Sequence, residues 1–146
     1  MTLKLIDSTF DNDPDEDKPL LPEGEYRLAY QYHFTRKIHK AMKLEVCFRV
    51  IDQGPYFMKK VSRYYNVQHK GKMGKNGKFS CGKTTAAFRE LSNVLVFNRG
   101  DRIPLTLLKN VIVIAEVSTV AKDNKQQSIH PQAQYSVVRK ITGKER

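Results

Sequence analysis

"TTAAFRELSNVLVFNRG", residues 84–100, is where the chain changes its period. Ala87, Phe88, Leu91, Val94 and Leu95 recur at helical spacing, so the stretch predicts one amphipathic helix. Thr84 or Thr85 supplies an N-cap oxygen, and Asn98 or Gly100 a residue suited to ending it. The flanking segments follow period two instead. Upstream, Tyr26, Leu28, Tyr30, Tyr32 and Phe34 share one face of a first strand, and Arg27, Ala29, Gln31 and His33 the other. A basic connection, "TRKIHKAMK" (35–43), leads to a second strand over 43–51. That strand sets Leu44, Val46, Phe48 and Val50 against Lys43, Glu45, Cys47 and Arg49. "DQGP" (52–55) is a turn, and "KKVSRYYNVQ" (59–68) a third strand rich in β-branched and aromatic residues. Downstream, "VIVIAEVSTV" (111–120) and "YSVVRKI" (135–141) are two further strands separated by a polar loop.

Three strands, one helix and two strands predict a mainly β fold: a five-stranded OB-like Greek-key barrel with one helix between strands 3 and 4. At 146 residues the chain is expected to form one domain. Residues 1–20 read as an acidic flexible leader, 21–142 as the domain with a basic Lys/Gly loop at 69–83, and 143–146 as a tail. The longest apolar runs, such as "VIVIA" (111–115), are too short to cross a bilayer, and the N-terminus lacks a secretion pattern. Cys47 and Cys81 form no closely spaced pair and are expected to be reduced thiols in a cytoplasmic protein.

Charge narrows the function classes. The net charge of +11 is unevenly spread. Residues 1–25 hold eight acids and two lysines, whereas 26–89 hold fifteen Lys+Arg and only Glu45 and Asp52 as acids. Such a one-sided field draws polyanions, nucleic acid first among them. Cations interleaved with rings suit single strands, because cations track phosphates while bases stack on the rings. The candidates are Arg36, Lys37, Lys40 and Lys43 in the first connection, Arg49 on the second strand, and Lys59, Lys60, Arg63 and Tyr64 on the third. The loop adds Lys70, Lys72, Lys75, Lys78, Phe79 and Lys83. Alternation turns Tyr65 inward with Val61 and Val67 and leaves Tyr64 outward, while Phe79 either stacks on a base or anchors its loop.

"GKFSCGKTT" (77–85) matches the phosphate-binding pattern G-x-x-x-x-G-K-[ST] letter for letter. A working P-loop follows a buried parallel strand directly, and here Gly77 lies nine positions past the end of a half-buried strand. The match is therefore read as the end of a cationic arm. His33, His39, His69 and His130 are scattered, so neither a metal nor a cofactor is expected, and no catalytic centre.

The segments "LPEGEY" (21–26), "KLEVCFRVID" (43–52), "KKVSRYYNV" (59–67), "LKNVIVIAEV" (108–117) and "YSVVRKI" resemble a phage-encoded family. Its small OB-like domains open with Leu-Pro-x-Gly-x-Tyr and occur among replication and recombination genes. The resemblance spans 20–142, departs at the lysine-glycine insertion, and implies single-stranded DNA binding in replication or recombination. The expectation is thus a non-enzymatic single-stranded DNA-binding protein, with RNA, replication or recombination proteins and a homo-oligomer left open as partners, and no membrane. The alternative is a phage-type inhibitor or accessory protein docking on an acidic host protein. A P-loop nucleotide binder ranks below both.

Overall fold

The computed structural model describes residues 20–122 and 134–145. The expected leader and much of the polar loop before the last strand lie outside them. Five long strands form one antiparallel sheet: β1 (Gly24–Ile38), β2 (Ala41–Val50), β3 (Lys60–Asn66), β7 (Ile112–Val120) and β8 (Tyr135–Lys144). Their order is β3-β2-β1-β7-β8, and the sheet curls through 215° into a half-barrel, an arrangement compatible with an OB-like fold. Three short strands, β4 (Gln68–His69), β5 (Gly74–Lys75) and β6 (Phe79–Ser80), precede a helix, α1 (Ala86–Leu91), and a 3₁₀ helix at Leu105–Asn110 leads into β7.

One face of the sheet is apolar. Leu28, Leu44, Val46, Phe48, Val50 and Val113 are fully buried there, joined by Leu91 from α1 and by Leu105 and Leu108 from the 3₁₀ helix. Each such side chain contributes about 1.5–3 kcal/mol by leaving water. Tyr65 turns inward with Val61 and Val67, as alternation requires. The opening segment is tied to the last strand: Leu21 is buried, and its N–H donates to Ser136 Oγ at 2.7 Å.

Four features depart from the sequence expectation. The helix spans only Ala86–Leu91, with Thr85 as its cap. Ser92 Oγ donates to the Phe88 carbonyl at 2.6 Å, and the next amides bond three residues back instead of four, which unwinds the helix. Val94 and Leu95 still reach the core from those turns. Secondly, the basic connection 35–43 is mostly strand. β1 runs to Ile38 and β2 starts at Ala41, joined by the two-residue turn His39–Lys40 with φ of 50° and 66°. Left-handed values at both positions match the twist of the flanking strands.

Thirdly, alternation along β1 is broken by a bulge between Tyr30 and Tyr32, where the register with β2 shifts. Tyr30 remains inward, but beyond the bulge His33 and Thr35 take the buried face. Tyr32 and Phe34, which simple alternation sends to the core, emerge on the opposite face. Fourthly, residues 69–83 do not form an unstructured loop. β4 pairs with β6, and β5 adds to β1 opposite Phe34 and Thr35. Phe79 is buried against His33, and Thr35 Oγ1 accepts from the Gly74 N–H at 3.2 Å. Gly77 sits so close that a Cβ there would lie 2.0 Å from Thr35 Oγ1.

The seam between β3 and β8, where the sheet stops pairing, is spanned by one carboxylate. Glu90 of α1 accepts from Arg63 Nε at 3.0 Å and Nη2 at 2.5 Å, both on β3. It also accepts from Tyr65 Oη at 2.9 Å, and from the Ile141 N–H of β8 at 2.9 Å. Burial works to raise the Glu90 pKa, but the Arg63 and Ile141 bonds, with Tyr65, overcome it and hold the group below the usual carboxylate range.

Candidate nucleic-acid interface

The sheet face opposite the core carries a groove of about 880 Å³. β1, β2 and β3 form its floor, and the paired ends of β7 and β8, Val120 with Tyr135 to Val138, form its far wall. The bulge in β1 decides what the floor presents. Across the three strands Tyr32 lies beside Cys47 and Ser62, and Phe34 beside Glu45 and Tyr64. Tyr32 and Phe34 meet edge to face with ring centroids 5.6 Å apart. Arg36 lies over the Phe34 ring at 4.8 Å and Lys75 over Tyr32 at 5.9 Å. Lys43 and Lys60 complete the cationic lining, and Lys43 Nζ also donates to Asn66 Oδ1 at 2.5 Å.

The floor is chemically quiet. Cys47 is buried, which raises its thiol pKa and leaves it protonated. Tyr64 is likewise pushed up, by burial and then by the neighbouring Glu45 charge, so its hydroxyl stays a donor. Glu45 is held by Arg36 at 3.1 Å and by the hydroxyls of Ser62 at 2.8 Å and Tyr64 at 3.2 Å. Among the described residues no cluster of three or more His, Cys, Asp or Glu side chains is placed to hold a metal.

Of the residues expected from the sequence, Arg36, Lys43, Lys60, Tyr64 and Lys75 converge on this groove, with Arg63 at its edge. Arg63 is on the core side of β3 and is committed to Glu90 and to stacking over the Tyr65 ring at 4.3 Å. Lys37 and Lys40 are exposed near the β1–β2 turn, and Lys59 is half-buried just before β3. Arg49 shares the groove's face but donates to the Met58 carbonyl at 2.7 Å beyond its rim. Lys70 and Lys78 border a second hollow of about 520 Å³, beside Asp101 and Arg102, while Lys72 and Lys83 are exposed. Phe79 is buried in the core and offers no ring face to a base.

The P-loop spelling folds differently from a P-loop. The middle of the pattern, Phe79 and Ser80, is strand paired with β4, and Gly77 packs on Thr35. The helix that follows has six residues. No continuous turn of backbone N–H groups is left to surround a phosphate. What the sequence did not disclose is the ring set: Tyr32, Phe34 and Tyr135 all line the groove. The pattern Tyr30–Tyr32–Phe34 gives no local sign of a bulge; the only hint is that His33 and Thr35 would otherwise be two polar residues among cations. Comparison with family models, curated proteins and solved structures returned no match to this chain.

Proposed function

We propose that this chain is a non-enzymatic, OB-like protein that binds single-stranded DNA in the groove over β1, β2 and β3. The observation that supports it is the groove itself, where four rings, Tyr32, Phe34, Tyr64 and Tyr135, stand among Arg36, Lys43, Lys60 and Lys75. In OB folds the face over strands 2 and 3 and the loops flanking it take oligonucleotides. Here the β1–β2 hairpin and the β7–β8 ends occupy those flanks. A single strand needs both components: phosphates for the cations and unstacked bases for the rings. A duplex would engage the cations only. Service in phage replication or recombination is the setting that the sequence resemblance suggests.

Fluorescence anisotropy with a mixed-sequence single strand of about 20 nucleotides, the matching duplex and the matching RNA tests this reading. If the four groove cations each neutralise a phosphate, affinity for the single strand falls about 50-fold between roughly 50 and 200 mM salt. The duplex is expected to bind more weakly at both concentrations. No binding of the single strand at the lower salt would overturn the proposal.

A further inference from the structure

The groove floor carries a carboxylate among its cations. Glu45 is one of only two acids in residues 26–89. Its side chain is 14 % exposed and sits between Phe34 and Tyr64 in the register of the three strands. A group placed only to neutralise the cations could sit at the rim, where its hydration is kept; this one is held in the floor by hydroxyls of the neighbouring strand β3. Oε2 accepts from Ser62 Oγ at 2.8 Å and from Tyr64 Oη at 3.2 Å, which fills its two lone pairs. Oε1 lies 3.1 Å from the Arg36 guanidinium as an ion pair and takes no hydrogen bond from Ser62 or Tyr64, so it is the oxygen left to accept from a ligand.

We infer that Glu45 reads the base stacked beside it, favouring bases that carry an exocyclic amine over thymine. The inference rests on the groove being the single-strand site. An ionised carboxylate only accepts hydrogen bonds, so it pairs with an amino group such as the cytosine N4 amine. Thymine turns a carbonyl oxygen to the same place, and two acceptors repel. Phe34 is the ring at the register position next to Glu45; a pyrimidine that takes the place of Arg36, which lies over that ring at 4.8 Å, brings its edge to the carboxylate while the guanidinium turns to a phosphate. The cations around the site bind phosphate whatever the base, so they set affinity and Glu45 sets preference.

The test compares strands of dC, of dT, and of a pyrimidin-2-one nucleotide that lacks the 4-amino group, at neutral pH and fixed salt. Wild type is expected to bind dC about three- to tenfold more tightly than dT, with the pyrimidin-2-one strand losing that advantage. In Glu45→Gln the dC:dT ratio is expected to fall to about one, since the amide both donates and accepts. Freeing Arg36 raises the affinity for every strand, so the ratio is the readout and not the affinity. Should the variant fail to fold, the pyrimidin-2-one comparison on wild type decides alone. Measurable but equal binding of dC and dT would overturn the role of Glu45, as would a ratio unchanged by Glu45→Gln. Absence of binding to all three strands would instead overturn the single-strand reading, and this inference with it.

Discussion

Replacing Glu90 by Ala should open the barrel seam. The carboxylate takes four hydrogen bonds, from Arg63 (two), Tyr65 and the Ile141 amide, and so joins α1 to both β3 and β8. The side chains of Arg63 and Glu90 are only 16 % and 9 % exposed, so the loss is not screened as on an open surface. Truncation leaves a largely buried guanidinium without its counter-charge, which costs roughly 3–5 kcal/mol. The stranded Tyr65 hydroxyl and Ile141 N–H would each add about 1–3 kcal/mol if they stayed dry. Water entering the space left by the side chain offsets much of that second contribution, so the expected total is about 3–5 kcal/mol. Urea unfolding measures it as a lower midpoint at unchanged slope. Hydrogen exchange should show the Ile141 amide losing protection before amides at the centre of β2. In a double-mutant cycle with Arg63→Ala, a coupling of at least about 1 kcal/mol is expected. A loss below about 1 kcal/mol for Glu90→Ala, or an Ile141 amide as protected as before, would refute the idea that this carboxylate closes the sheet.

Three further outcomes follow from the packing. Gly100→Ala should destabilise strongly in a thermal melt, because its Cβ would lie 1.6 Å from the Cys81 carbonyl oxygen, whereas Gly82→Ala, with Thr85 Cγ2 the nearest atom at 3.9 Å, should be nearly neutral. Burial lowers the His33 pKa from its ordinary 6.5, so the fold favours the neutral ring and the unfolded chain takes up the proton first as pH falls. The melting temperature should therefore decline as pH drops below about 6.5, before Glu90 begins to protonate, and His33→Phe should flatten that slope. Phe79→Ala should cost about 3–5 kcal/mol of stability as a core truncation. Tyr32→Ala should leave stability less affected and weaken single-strand binding by about 1–3 kcal/mol, read by anisotropy. Equal losses of binding per unit of stability in the two variants would contradict the assignment of one ring to the core and the other to the groove.

The five long strands, their order along the chain and a helix starting near Thr84 or Thr85 were legible in the sequence, because period and capping are local properties read from neighbouring residues; the helix's early end at Leu91 and the short strands β4 to β6 were not. So was the basic field, since charge is additive, and five of the expected contact residues do meet in one groove. The bulge at Gln31 was not legible. Local alternation favours Tyr32 and Phe34 inside, and the bulge is held by non-local partners: the shifted register with β2, and β5 lying against Phe34 and Thr35. Arg63 was counted among the contact cations although alternation puts it on the inward face with Val61 and Tyr65; what it does there depends on Glu90, 27 residues away. Phe79 looked stranded in a lysine-glycine loop because the core it joins, beside His33, is built from another part of the chain. The sequence by itself determined where the five long strands lie along the chain and what sign of charge the domain presents. Only the tertiary structure decided which face each ring and each charge occupies. A one-residue shift in register moves every later side chain of a strand across the sheet, and the contacts that hold such a shift are distant in sequence.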